Sequence, residues 1–423
     1  MVSLILFGSF FLLLFLSVPI AYALGLASLF TIFITHTIDI SFLTNSIITS
    51  LDSFPLMAVP FFILAGDIMG KGGISKRLFE FANSLVGGVT GGLAIAAVVT
   101  CMFFAAISGS GPATVAAVGG IMLPIMLSQG YERDFSTAVV TAAGAIGVII
   151  PPSIPMVMYG VSSGASVSSL FVAGVIPGIL MGIVMMIWCY VYCKKAGYKK
   201  TGDRFSWKNV LRAFWDAKWS VLVPVIVLGG IYGGYFTPTE ASVVSVVYSL
   251  VISVFVYREI KLKDLPSIMA GSALTTAIAL IICGTVATFG KLMTIERIPE
   301  MVASAIASFS TSKIITLLLL NLVLLLAGCF LDTVSAILIL TPILWPVANA
   351  IGVDIIHFGI IMVVNLSIGF ITPPVGVNLY VGTSMSGLPL EALVKKILPF
   401  FAVMIIALIL ITYVPGLSLL LLK

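Results

Sequence analysis

Charge is what this chain has least of. Of its 423 residues only 9% are Asp, Glu, Lys or Arg, while 60% are apolar. Soluble globular chains run at roughly 25% charged and about 45–50% apolar. The shortage excludes a soluble enzyme, a disordered chain and a nucleic-acid binder. The net charge of +5 therefore bears on membrane orientation and not on phosphate binding. Histidine is scarcer still. His36 and His357 are the only two, too few for a proton relay or a haem system. Five cysteines (Cys101, Cys189, Cys193, Cys283 and Cys329) lie in apolar stretches, and none forms a CxxC pair. Zinc and redox chemistry thus lack support, and the thiols read as small buried hydrophobes. No Walker-type phosphate loop is present, so this chain does not hydrolyse ATP. No Ser/His or metal-ligand constellation recurs at one depth, so the chain does not read as an enzyme, even an intramembrane one. The N-terminus is apolar from Val2 with no basic segment before it, and reads as a first span, not a cleaved signal.

What is abundant is long apolar sequence. A bilayer-crossing helix needs about 20 apolar residues. Stretches at 3–17, 19–35, 54–70, 134–160, 167–193, 219–234, 240–257, 267–290, 357–385 and 397–415 meet or approach that length. Two more, 91–127 and 313–348, are interrupted midway by small and polar residues. Cytoplasmic loops retain Lys and Arg. The richest loop holds Lys194, Lys195, Lys199, Lys200, Arg204, Lys208, Arg212 and Lys218, and is assigned to the cytoplasm. Arg258, Lys261 and Lys263 return to that side two spans later. Lys71, Lys76, Arg77, Lys395 and Lys396 join them. The 36–54 loop has no Lys or Arg and faces out. Both termini are then outside, provided the two interrupted stretches do not cross.

The chain also repeats itself. A-I-G-V-I-I-P-P from Ala145 matches S-I-G-F-I-T-P-P from Ser367, an offset of 222 residues. Pro124 in I-M-L-P-I matches Pro342 in L-I-L-T-P-I, an offset of 218, and Pro19 matches Pro238 at 219. Each match is weak alone, but three in one order at nearly one offset are strong. Each half then holds five crossings and one interrupted stretch. An odd number of crossings inverts the second half, an architecture common among secondary transporters. The fold expected is an all-α polytopic membrane protein, an inverted repeat with two re-entrant hairpins and two discontinuous helices. The expected division is 1–90 and 219–312 as scaffold and arm, 91–193 and 313–423 as hairpin, broken helix and following helix, and 194–218 as a basic loop.

The first interrupted stretch runs S-G-S-G-P-A-T from Ser108 to Thr114. Glycines and a proline do not continue a helix cheaply. Bare backbone survives in hydrocarbon only where protein or a water-filled cavity covers it. The reading is a hairpin with its tip near mid-membrane. Its partner turns at Gly328 to Thr333. Close helix packing explains Gly87, Gly88, Gly91, Gly92, Gly119 and Gly120, but leaves the proline and three hydroxyls of the first tip unexplained. Gly147 to Ser153 and Gly369 to Pro374 break two later spans, and their paired prolines free nearby carbonyls. Freed carbonyls and hydroxyls are hard oxygen ligands, and half-helix ends add partial charge of both signs. A cation site beside a carboxylate site follows.

Asp332 is an ionisable group at membrane depth, which suggests function by default. It either ligates a cation or accepts backbone N–H bonds at the hairpin tip. Asn365 and Asn378 flank the second break and suit ion or substrate. Asp67 and Glu240 read as structural or interfacial. One carboxylate among many hydroxyls and carbonyls favours Na⁺ over a proton as coupling ion. The amphipathic segments 73–85 and 297–309 each precede a hairpin and read as surface arms.

The run G-I-M-L-P-I-M from Gly120, G-Y-E-R-D-F-S from Gly130 and A-G-A-I-G-V-I-I-P-P-S-I-P-M from Ala143 resembles the large membrane subunit of the tripartite ATP-independent periplasmic (TRAP) transporters. So do S-G-S-G-P-A-T from Ser108 and T-P-P-V-G-V-N-L from Thr372, and the likeness covers essentially the whole chain. The resemblance implies an ion-transporter-superfamily fold in the bacterial inner membrane, with a scaffold and a mobile transport domain. It implies Na⁺-driven, elevator-like uptake of an organic acid such as a C4-dicarboxylate or sialic acid. It implies two partners, a small membrane subunit of about four helices and a soluble periplasmic binding protein. No cofactor is expected, and Na⁺ is the only metal. The first Na⁺ site implied takes Ser108, Gly109, Ser110, Gly111, Thr114, Gly147, Val148 and Ile150. The second takes Gly328, Asp332, Thr333, Gly369, Ile371 and Thr372. Substrate contacts implied are Ser110, Pro112, Pro152, Ser153, Asn365, Pro374 and Asn378. Two other readings stay open, a stand-alone Na⁺/dicarboxylate carrier and a non-transporting membrane scaffold.

Overall fold

The computed structural model describes residues 2–36, 38–198, 206–309 and 312–422. Lys199, Lys200 and Arg204 of the basic loop lie outside them. Among the described residues there are helices and no strands. Nine of the described helices are long and apolar enough to cross a membrane.

The first series is α1 (Val2–Phe15), α2 (Ile20–Thr35), α3 (Ser41–Leu51), α4 (Ala58–Lys71), α5 (Ile74–Val86), α6 (Gly92–Ser108), α7 (Gly111–Ser128), α8 (Arg133–Gly144), α9 (Ile154–Ser163) and α10 (Val167–Lys195). A 3₁₀ turn, Ala145–Val148, extends α8. The second is α11 (Trp207–Tyr232), α12 (Pro238–Val251), α13 (Leu265–Ile295), α14 (Ile298–Phe309), α15 (Lys313–Phe330), α16 (Thr333–Ala350), α17 (Ile355–Gly369), α18 (Val377–Ser386) and α19 (Leu390–Tyr413), closed by the short α20 (Gly416–Leu419). Helix starts recur in step between the series: Gly92 with Lys313, Gly111 with Thr333, Arg133 with Ile355, Ile154 with Val377 and Val167 with Leu390.

Packing exchanges partners between the series. α4 packs on α12 and α13 on α2; α18 packs on α7 and α9 on α16; α19 packs on α8 and α10 on α17. Each hairpin, α6–α7 or α15–α16, therefore leans on the broken helices of both series. One hydrophobic core runs through all of this. Where helices stop inside it, side chains replace the missing backbone partners. Ser110, Ser153 and Asp332 cap α7, α9 and α16.

Two of the basic residues used in the loop-charge reading, Lys396 and Arg77, make long-range contacts. Lys396 Nζ lies 3.0 Å from Tyr192 Oη and 2.9 Å from Glu132 Oε2. Arg77 pairs with Glu259 at 3.5 Å and lies over the Tyr257 ring. Two expectations are corrected. The 36–54 segment is not a plain loop, because Ser41–Leu51 is helical. Its Leu43, Ile47 and Leu51 recur at helical spacing, and Ile47 seats against Gly284 of α13. The basic loop ends early, because α11 begins at Trp207 and carries Lys208, Arg212 and Lys218. That extension packs on α5, with Phe214 and Phe81 rings 5.8 Å apart.

Candidate functional site at the two hairpin tips

The first hairpin reverses at Gly109 and Ser110. Gly109 has φ +61°, the left-handed region that glycine adopts most readily. A Cβ there would stand 2.8 Å from the Pro152 carbonyl oxygen. The tip is tied by hydroxyls. Thr114 Oγ1 donates to the Ser110 carbonyl at 2.7 Å and lies 3.1 Å from Ser108 Oγ. Ser110 Oγ accepts from Ala113 N at 3.5 Å. The break after α8 lies against this tip. Ile154 N donates to the Gly109 carbonyl, and Ser153 Oγ donates to the Val148 carbonyl at 2.5 Å. Gly147 has no room for a side chain, since a Cβ would meet Thr114 Oγ1 at 2.5 Å and the Ser110 carbonyl at 2.6 Å. The four half-helix ends of α6, α7, α8 and α9 thus meet within one cluster of carbonyls and hydroxyls.

The second tip turns at Leu331 and Asp332. Gly328 and Cys329 are still helical. Asp332 Oδ2 accepts from Ser335 N at 3.1 Å, and Oδ1 accepts from Ser335 Oγ. Of the two roles weighed for Asp332, the capping one is visible in these bonds. Val375 N donates to the Cys329 carbonyl at 3.1 Å, the counterpart of Ile154 and Gly109 in the first series. Gly328 and Gly369 touch backbone to backbone, and a Cβ on Gly369 would stand 2.5 Å from the Gly328 carbonyl oxygen. Both proline pairs, Pro151–Pro152 and Pro373–Pro374, contain a cis bond.

The two tips open on one cavity of about 360 Å³. Its lining includes Ser108 to Ala113 from the first hairpin, and Asp332, Thr333 and Val334 from the second. Val148, Ile154, Phe370 and Val377 come from the broken helices. Among the described residues no Lys or Arg lines it, and two carboxylates do, Asp332 and Asp67.

Other sequence-assigned residues stand nearby but not on the cavity wall. Thr114, Gly147, Ile150, Pro152 and Ser153 are buried behind the first tip. Gly328, Gly369 and Ile371 are buried behind the second, Thr372 is half-buried, and Pro374 is exposed. Asn365 is fully buried, and its Nδ2 donates to Asn321 Oδ1 at 2.7 Å on the first arm of hairpin two. Asn378 Nδ2 donates to the Thr141 carbonyl of α8, and its Oδ1 faces Gly111 of the first tip. The buried oxygens Asn365 Oδ1, Asn378 Oδ1 and Thr333 Oγ1 have no hydrogen-bond partner among the described residues.

Ile63, Gly66 and Asp67 of α4 and Thr275 and Ala279 of α13 complete the wall and were not anticipated. A Cβ on Gly66 would stand 3.3 Å from Ser108 Cα, so α4 runs close against the first tip. Asp67 Oδ2 accepts from Ser272 Oγ of α13. The available signal was Asp67 itself, a carboxylate beside a glycine in an otherwise apolar span.

The family model for the DctM component of tripartite ATP-independent periplasmic transporters matches residues 7–417. The isethionate TRAP transporter permease protein DctMQ of Oleidesulfovibrio alaskensis is 49% identical over 97% of this chain, which spans 65% of that longer relative. The C4-dicarboxylate TRAP transporter large permease protein of Pseudomonas aeruginosa is 44% identical over 94% of this chain and 93% of its own length. The sialic acid TRAP transporter large permease protein of Vibrio cholerae is 38% identical over 97% and 96%. Among solved structures, the Alcanivorax borkumensis YdaH transporter superposes with a TM-score of 0.64 at 15% identity, covering 89% of this chain and 88% of that one. Neisseria gonorrhoeae MtrF does so at 0.60 and 14%, covering 88% and 83%. At such identities these two speak for the fold alone. The chain is a multi-pass membrane protein and belongs to the DctM family of TRAP transporter large permease subunits.

Proposed function

We propose that this permease subunit takes up a small organic anion by Na⁺-coupled, elevator-type alternating access, with the tip cavity as its substrate site. The observation that carries the reading is the convergence of both hairpin tips on one cavity bounded also by α4 and α13. In this reading α6–α10 and α15–α19 form the moving body, and α4 and α13 belong to the scaffold it slides against. The two series sit in the bilayer in opposite orientations, with both termini on the periplasmic side of the inner membrane.

Electrostatics favours coupling. An anion in a cavity with two carboxylates and no base is repelled unless something compensates. The N-terminal ends of α7, α9, α16 and α18 supply part of the compensation. Bound Na⁺ supplies the rest. The residues present suit that ion. The unpartnered oxygens of Asn365, Asn378 and Thr333 are hard donors beside the breaks, and buried polar atoms left unpaired in protein call for an ion or a water. Carbonyls at Ser110, Val148 and Gly328 add to the set. Relatives named for isethionate, C4-dicarboxylates and sialic acid bound the substrate class to carboxylates and sulfonates. A relative named DctMQ supports a small membrane partner, and the family description supports a periplasmic binding protein.

The test is uptake into proteoliposomes holding both membrane subunits, with binding protein outside. Uptake driven by an inward Na⁺ gradient, absent with K⁺ and absent without binding protein, is the expected result. Uptake without the binding protein would assign the chain to stand-alone carriers instead. Uptake driven by a proton gradient alone would remove the sodium reading.

A further inference from the structure

A second cavity, of about 390 Å³, lies on the same seam between α13 and the α9–α16 pair. Ala279 lines the tip cavity and Cys283 the second one, so about 6 Å, or one turn of α13, separates them along that helix. Val334 and Leu338 make the same step on α16. Between the two cavities Cys283 Sγ donates to Met158 Sδ of α9 at 3.5 Å, and Met158 and Ile337 are fully buried. A thin apolar septum thus divides two spaces on one line.

Their chemistry is opposite. The tip cavity has two carboxylates and no base. The second has, among the described residues, Lys291, no carboxylate, and the hydroxyls of Ser50, Ser53, Ser162 and Thr294. Lys291 Nζ donates to Ser46 Oγ at 3.4 Å, and no carboxylate lies within ion-pair distance of it among the described residues. Asp52, although next to Ser53, does not line the space. An ammonium with hydroxyls and no acid is a donor set for an anion. The volume falls in the roughly 300–1,000 Å³ range of small-molecule sites. The cavity stands toward the Ile295 end of α13, whereas the tip cavity stands toward the end that follows Arg258, Lys261 and Lys263.

We propose that this second cavity is a receiving site for the transported carboxylate or sulfonate, held by Lys291 and the surrounding hydroxyls before it reaches the hairpin tips. The identity of the anion rests on the transport reading above; the positive character of the cavity does not. Sliding of α9 and α16 along α13 would part Met158 from Cys283, which stays on α13 with Lys291, and so open the septum and merge the two spaces.

The test places a thiol at Ser162→Cys in a Cys283→Ser, Cys329→Ser background, in nanodiscs of phosphatidylcholine. Rates are measured for an anionic (sulfonatoethyl) and a cationic (trimethylammonioethyl) methanethiosulfonate, each relative to its rate with a free thiol. The normalised ratio should favour the anionic reagent by roughly three- to tenfold. It should fall to about one in Lys291→Gln and stay in Lys291→Arg. Millimolar succinate or isethionate should slow labelling in the parent and not in Lys291→Gln. A ratio near one in the parent, or a thiol that does not react, overturns the proposal. So does protection by phosphatidylglycerol in the nanodisc but not by either free anion, which would make this a lipid-headgroup site. Labelling reads the cavity whether or not anything is transported, so a failed uptake assay and a failed receiving site remain distinct.

Discussion

The two hairpin tips occupy equivalent places in their series and are built from different chemistry. The first is closed by hydroxyls: Thr114 Oγ1 bonds to Ser108 Oγ and donates to the Ser110 carbonyl, and Ser110 Oγ accepts from Ala113 N. Its proline pair is buried. The second is closed by one carboxylate, Asp332, which caps α16 through Ser335. Its proline pair is exposed. Both tips contact the neighbouring break by one backbone bond, Ile154 to Gly109 and Val375 to Cys329. The backbone geometry is thus shared, and the side chains that tune it are not. The first tip resists change through a local network, whereas the second hangs on one residue and a glycine–glycine contact.

That difference sets the order of expected mutational effects. Gly369→Ala should do most damage. Its Cβ would meet the Gly328 carbonyl oxygen, carbonyl carbon and Cα between 2.5 and 2.7 Å, and none of these is a movable side chain. We expect a stability loss of about 1–3 kcal/mol and no transport, read from thermal melts and uptake. Gly147→Ala should cost somewhat less, because one of its two closest clashes is with a side chain, the Thr114 hydroxyl at 2.5 Å, and only the other, the Ser110 carbonyl oxygen at 2.6 Å, is with backbone. Equal losses would break the asymmetry between the tips.

Asp332 comes next, and two variants separate its cap from its charge. Asn caps helices about as well as Asp, whereas Ala at a cap costs about 0.5–2 kcal/mol. Asp332→Asn should keep the melting temperature near the parent value while weakening Na⁺-driven uptake. Asp332→Ala should lose both. Normal uptake by Asp332→Asn would reduce this residue to a cap. Thr114→Val should follow, losing about 1 kcal/mol for the bond to the Ser110 carbonyl, together with part of the Na⁺ response. Ser110→Ala should have the smallest effect on stability, under about 1 kcal/mol, because its capping bond is long at 3.5 Å. It should still weaken Na⁺-coupled uptake. Normal transport by both Ser110→Ala and Asp332→Asn would refute the assignment of the tips to the ion sites.

The all-α architecture was legible because hydrocarbon allows so few structures. Apolar length marks the spans, and glycine or proline inside them marks the breaks. The tip residues Ser108 to Thr114 were legible because their composition contradicts a continuous helix. What escaped was tertiary. Helix α3 escaped because Ser41, Thr44, Ser46 and Ser50 dilute its apolar stripe. Ile63, Gly66, Thr275 and Ala279 resemble any other residues in an apolar helix, and only packing shows that they face the tips. Asn365 and Asn378 stand out in the sequence, but their Nδ2 groups bond to Asn321 and to the Thr141 carbonyl, and both residues stand behind the cavity wall. A sequence shows which backbone must break, but not which neighbouring helix covers the break.

The central claim is that these breaks hold Na⁺. The most direct measurement is the thermal stability of the purified chain against NaCl, with KCl keeping ionic strength constant. A bound ligand stabilises by RT ln(1 + [L]/Kd), about 1.4 kcal/mol at ten times Kd. The account predicts a saturable rise with Na⁺ that is absent with K⁺ and lost in Asp332→Asn. A melting temperature indifferent to Na⁺, or raised equally by K⁺, would contradict it.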